Sequence, residues 1–161
     1  MRKEMGKPSK GEKSRVLLLC TGNSCRSQMA EAIVNHQLGE KWHAVSAGTE
    51  PAGYVHPKAL QVLEEMGIEH QGESKHVSQF KGETFDLVIT VCDHAHQTCP
   101  LWLGDGHILH RGYQDPAQAE GSEEEILTVF REVRDQIKKE IPNLLLAFHR
   151  NTSHNREDPH D

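Results

Sequence analysis

The chain has 161 residues, enough for a single domain with a true core, and 35% of them are apolar. Its 18 Lys and Arg stand against 24 Asp and Glu, a formal net charge of −6. That balance argues against a general nucleic-acid or membrane-surface binder, so an anionic ligand must be held by a local device. No apolar run approaches the roughly 20 residues that span a bilayer. Val16-Leu-Leu-Leu19 is too short for a signal peptide, which predicts a cytoplasmic address.

Residues 1–14 and 150–161 are polar and aperiodic and read as flexible tails around a single catalytic domain, 15–149. Within that domain strands and helices alternate. Arg15-Val-Leu-Leu-Leu19 is a short continuous apolar run, as a strand buried on both faces requires. A helix follows with Ala30, Ile33, Val34 and Leu38 on one face and Gly39 as its stop. Trp42 to Ala47 reads as a second strand. Pro57 fits a first helical turn, with Ala59, Val62, Leu63 and Met66 on one stripe before Gly67.

Asp86-Leu-Val-Ile-Thr-Val91 is the clearest strand, and His107-Ile-Leu-His110 is a weaker one. Ser122 and Glu125 form a capping box for the last helix, whose stripe is Ile126, Val129, Phe130, Val133 and Ile137. Pro142 is expected to kink or interrupt it before Leu144 to Phe148. Alternation of this kind predicts an α/β fold with a parallel sheet covered on both faces. Ligands of such sheets bind beyond the carboxyl ends of the strands.

At the end of the first strand stands Cys20-Thr-Gly-Asn-Ser-Cys-Arg26, with five residues between thiol and guanidinium. A loop of that length can curl until its N–H groups converge near the sulfur, and the following helix adds its N-terminal dipole. The planar fork of Arg26 suits two oxygens of a tetrahedral anion. The same positive surroundings favour a thiolate at Cys20, to which Ser27 can donate a hydrogen bond. Gly22 would permit a positive φ. The candidate oxyanion site is therefore Thr21, Gly22, Asn23, Ser24, Cys25, Arg26 and Ser27, with Cys20 as nucleophile. A buried structural cysteine beside a turn is the plain alternative for Cys20, and a structural role is the expectation for Cys25.

Val16-Leu-Leu-Leu-Cys-Thr-Gly-Asn-Ser-Cys-Arg-Ser-Gln-Met-Ala-Glu31 resembles the signature of the low-molecular-weight tyrosine phosphatase superfamily, and within it most resembles the thioredoxin-coupled arsenate reductases. The resemblance covers about residues 15 to 140. It implies a flavodoxin-like three-layer sandwich with a four-stranded parallel sheet. Phosphatase-type chemistry needs a proton for the departing oxygen, and Asp115 in Gln114-Asp115-Pro116 is expected to supply it. The tyrosine phosphatases follow this pair with aromatic residues that line a phenol cleft. Ala117-Gln-Ala119 follows here, which argues against an aryl substrate.

The clearest strand leads into Cys92-Asp-His-Ala-His-Gln-Thr-Cys99-Pro, and Cys99 resembles the reductase pattern closely. The resemblance implies a relay of thiolates. Cys20 attacks arsenate, Cys92 attacks Cys20 as arsenite leaves, and Cys99 attacks Cys92 to give a 92–99 disulfide that thioredoxin reduces. Arsenate is then the substrate, with phosphate or sulfate as competing oxyanions, thioredoxin the protein partner, and a monomer the default. A phosphatase hydrolysing phosphate monoesters through a Cys20 phospho-intermediate is the alternative function.

Cys92, His94, His96 and Cys99 are all zinc-ligand types, so a metal-binding or redox-sensing module is a third reading. Their spacing is tighter than common zinc patterns and would leave the Cys20 loop unexplained, so no metal site is expected. Some arsenate reductases of the family hold potassium near the anion loop, at positions matching Asn23, Glu31 and Ser46. The further carboxylate is missing, since Gln79 follows Ser74-Lys-His-Val-Ser78, so potassium is not expected to be obligatory. No tightly bound cofactor is expected.

Overall fold

The structure, a computed structural model, describes residues 13–91 and 107–157, with side chains described as far as Phe148. Four strands, β1 (Ser14–Cys20), β2 (Trp42–Gly48), β3 (Leu87–Thr90) and β4 (His107–His110), form one sheet in the order β2-β1-β3-β4. Every neighbouring pair is parallel, as the alternation of elements predicts. Side chains alternate faces along a strand, yet Val16 to Cys20 are all buried, so both faces of β1 are covered. That is why the sequence here is a continuous apolar run and not an alternating one. β3 is buried throughout in the same way, whereas the edge strand β4 is exposed along its length.

Among the described residues three α-helices accompany the sheet: α1 (Arg26–Gln37), α2 (Pro57–Glu64) and α3 (Glu123–Glu157). Pro57 does occupy the first turn of α2, and the His56 ring caps that helix by accepting from Lys58 N at 3.1 Å. The capping box of α3 closes reciprocally, with Ser122 N donating to Glu125 Oε1 (2.8 Å) and Glu125 N to Ser122 Oγ (3.1 Å). Phe130, Val133, Ile137, Ile141 and Leu145 carry the buried face of α3. Fully burying one such side chain contributes about 1.5–3 kcal/mol. Glu65, at the C-terminus of α2, receives Arg131 and Arg134 of α3 at 2.9 and 2.8 Å, tying the two helices together.

One part of the expectation for α3, an interruption at Pro142, is corrected. Pro142 does not interrupt the helix, which runs through it as one element. The proline ring is itself buried, and the Asn143 side chain donates to Lys139 O (2.9 Å) in the turn around it. The backbone of α3 stays helical to Glu157. No helix among the described residues is long and apolar enough to cross a membrane.

Candidate functional site

The strand order reverses direction between β1 and β3, since β1 connects outward to β2 while β3 and β4 lie on its other side. A parallel sheet opens a crevice at such a point, beyond the carboxyl ends of its strands. Cys20 is the last residue of β1 and sits at that crevice, only 2% exposed. Val91, which follows β3, donates its N–H to Leu19 O at 2.9 Å. Arg111 and Tyr113 then bond to Thr90 O and Val91 O, so the chain after β4 runs past the same opening.

Residues 21–25 curl from Cys20 to the start of α1. Their carbonyls point away from the centre and are bound from outside. Thr49 N donates to Cys20 O (3.1 Å), Glu50 N to Thr21 O (2.9 Å), Ala52 N to Gly22 O (2.8 Å) and His56 N to Ser24 O (3.0 Å). On the inner side, Asn23 N reaches Cys20 Sγ at 3.4 Å. Gly48 makes this docking possible. A Cβ there would collide with Thr21 O and press on Asn23 at 3.0 and 3.1 Å.

The left-handed residue of the loop is Asn23, with φ 49°, and not Gly22 as its glycine suggested. Asparagine is one of the few non-glycine residues that visit this region, because its side chain can bond locally. Here Asn23 Nδ2 donates to Ser27 Oγ (2.8 Å), while Asn23 Oδ1 accepts from Lys75 N (2.9 Å) and Gln28 Nε2 (3.1 Å). Since the Ser27 oxygen accepts from Asn23, its own hydrogen is free to point at Cys20 Sγ, 3.2 Å away. That arrangement stabilises a thiolate.

Cys25 belongs to the same loop but to the opposite electrostatic class. Burial, with the Asp115 charge adding to it, pushes its thiol up to about 12, so it stays protonated at neutral pH. Its side chain is a packing element of the loop, as expected.

Arg26 opens α1 and is largely buried. Its Nη1 donates to Tyr113 O at 3.0 Å, and its Nη2 lies 3.5 Å from Asp115 Oδ2. Among the described residues its buried Nε has no hydrogen-bond partner, a donor suited to an oxyanion seated in the loop. Asp115 caps the short 3₁₀ turn Pro116–Gln118, with Oδ1 accepting from Ala117 N at 3.0 Å. Tyr113 is anchored beneath it by a hydrogen bond from its hydroxyl to Glu140 of α3 at 2.8 Å.

The structure thus brings Cys20, the 21–27 loop, Arg26 and Asp115 to one place. Cys92, His94, His96 and Cys99 lie outside the described residues. Glu31 and Ser46 are hydrogen-bonded at 2.6 Å, with the serine donating. Asn23 Oδ1, the third position of the potassium resemblance, accepts from Lys75 N and Gln28 Nε2. Gln28, His56, His70 and Lys75 escape the sequence reading. Gln28 at least carries a signal, a polar residue in the first turn of a buried helix.

Comparison with known proteins agrees with this geometry. The sequence profile of the family described as low molecular weight phosphotyrosine protein phosphatase matches residues 15–154. A protein of Halalkalibacterium halodurans named arsenate reductase is 45% identical over 130 residues, covering 80% of this chain and 93% of that one. A solved structure described as an arsenate reductase in the phosphate binding state superposes with a TM-score of 0.68 at 32% identity, covering 84% of this chain and 98% of the other. The low molecular weight protein tyrosine phosphatase of T. tengcongensis gives a TM-score of 0.70 at 26% identity, with 84% and 99% covered.

Proposed function

Because the chain belongs to the low-molecular-weight phosphotyrosine protein phosphatase family, we propose that it uses the family's oxyanion loop to reduce arsenate to arsenite, with thioredoxin as electron donor. The supporting observation is the hydrogen bond from Val91 N to Leu19 O. It brings the residue before Cys92 alongside the strand that ends in Cys20.

In this reading the Cys20 thiolate attacks the arsenic of a bound arsenate. The loop amides and Arg26 stabilise the charge that gathers on its oxygens. One oxygen leaves as water on a proton from Asp115. The Cys92 thiolate then attacks Cys20 Sγ, and the electron pair of the sulfur–arsenic bond passes to arsenic, releasing arsenite. The Cys20–Cys92 disulfide is exchanged by Cys99 for a Cys92–Cys99 disulfide, which a thioredoxin dithiol reduces. The relay works on reduced thiols, which sets it in the cytoplasm, and a monomer suffices for it.

Arsenate turnover with thioredoxin and its reductase tests the proposal. Cys99→Ser should consume about one equivalent of arsenate and then stop, and Cys20→Ser should consume none. Undiminished multiple turnover by Cys99→Ser would refute the relay. Hydrolysis of a phosphate monoester without arsenate reduction would assign the site to a phosphatase instead.

A further inference from the structure

Asn23 holds the strained backbone position of the oxyanion loop, and its side-chain oxygen is held from two sides, by Lys75 N at 2.9 Å and Gln28 Nε2 at 3.1 Å. Gln28 is fully buried, so its amide must find partners for both ends. Its Nε2 faces three carbonyl-type acceptors, Asn23 O (3.1 Å), Asn23 Oδ1 (3.1 Å) and Glu73 O (2.9 Å). That leaves Oε1 as the end facing outward, and it meets His70 Nε2 at 2.7 Å. An amide oxygen only accepts, so the His70 Nε2 must carry the hydrogen.

His70 arrives from the segment after α2, far from the loop in sequence. Gly72 gives it room, because a Cβ at 72 would collide with both Gln28 Oε1 and His70 Nε2. The ring therefore fills a space that the chain has kept clear for it.

We infer that His70 is a positioning residue for the oxyanion loop: through Gln28 Oε1 it fixes the amide that holds Asn23 in its left-handed conformation. A Gln28 amide without that donor has a buried, unsatisfied oxygen and can rotate. Rotation would turn an oxygen toward Asn23 O and Oδ1 and repel the residue whose N–H points at Cys20 Sγ. His70 touches neither substrate nor sulfur and acts only through this chain.

The inference rests on the reading of the loop as an oxyanion site but not on the redox relay. Inorganic phosphate is the probe, and the readout is its protection of Cys20 in the full-length protein against iodoacetamide, followed by peptide mass spectrometry. Each variant is scored against its own unprotected rate. His70→Met keeps the volume and removes the donor, and should raise the half-protecting phosphate concentration about tenfold. His70→Gln can still donate to Gln28 Oε1 and should stay within about threefold of the wild type. Gly72→Ala should behave like His70→Met.

Wild-type-like protection in His70→Met would overturn the inference, as would equal damage in His70→Gln, which would make the ring's shape the relevant property. If phosphate does not protect the wild type, the oxyanion reading and this inference fall together. Protection that depends on the His70 donor in a protein that cannot reduce arsenate would uphold the inference and refute only the proposed reaction.

Discussion

The two flanks of the oxyanion loop are built differently. On the α1–β2 flank polar side chains are tied into a network: Asn23 with Ser27, Gln28 and Lys75 N, Gln28 with His70, and, beside them, Ser46 with Glu31. On the acid flank Arg26 holds a backbone carbonyl and a loose 3.5 Å contact to Asp115, and its buried Nε has no partner among the described residues. The satisfied flank fixes geometry before any ligand arrives. Under the proposed reaction, the unsatisfied one keeps interaction energy in reserve for the transition state, where such energy accelerates chemistry instead of merely tightening binding.

That contrast can be broken from the acid side first. Arg26→Lys keeps the charge but loses the planar fork, and should lower kcat/KM for arsenate by about a thousandfold, measured by steady-state kinetics. A loss below tenfold would mean that Arg26 is a structural cation. Asp115→Asn should reduce the rate of the first step about a hundredfold, read as single-turnover arsenate consumption, with phosphate affinity preserved. Unaltered single turnover would remove Asp115 from the chemistry. On the engaged flank the smallest effect is expected. Replacing sodium by potassium at constant ionic strength should leave activity within about twofold, since the oxygens there already have partners. A large potassium-specific gain would show that the flank rearranges around a cation.

Much of this architecture is legible in the chain. The double-sided burial of β1 and β3 shows as unbroken apolar runs, and the capping box announces α3. The placement of Cys20, Arg26 and Asp115 is likewise readable, because Cys20 ends a strand and the other two lie on the segments that follow strands, at the ligand end of a parallel sheet. Other features depend on approach in space. His70 lies 42 positions from Gln28, and no local pattern marks the meeting. Gly22 attracts attention as the flexible residue, yet the positive φ falls on Asn23, where side-chain bonds outweigh the steric penalty. Pro142 misleads in the opposite sense. Local chemistry argues for a break, but the buried apolar face of α3 continues past it through Leu145, and tertiary packing wins.

Residues 49–56 donate four backbone N–H groups to the oxyanion loop and contribute no catalytic side chain. They act as a casting mould, impressing an amide-inward shape on a segment that could not hold it alone. Toward the loop such a mould reads only the backbone: proline is forbidden wherever an N–H is spent, while side chains in the stretch answer to other demands, as His56 does in capping α2 and Gly53 in its positive φ. Pro51 falls between the donors Glu50 and Ala52, at a position that owes the loop nothing. At Thr49, Glu50 and Ala52 the loop thus asks for an N–H and not for a particular side chain, and it inherits its shape from a stretch that the Cys20–Arg26 motif does not include.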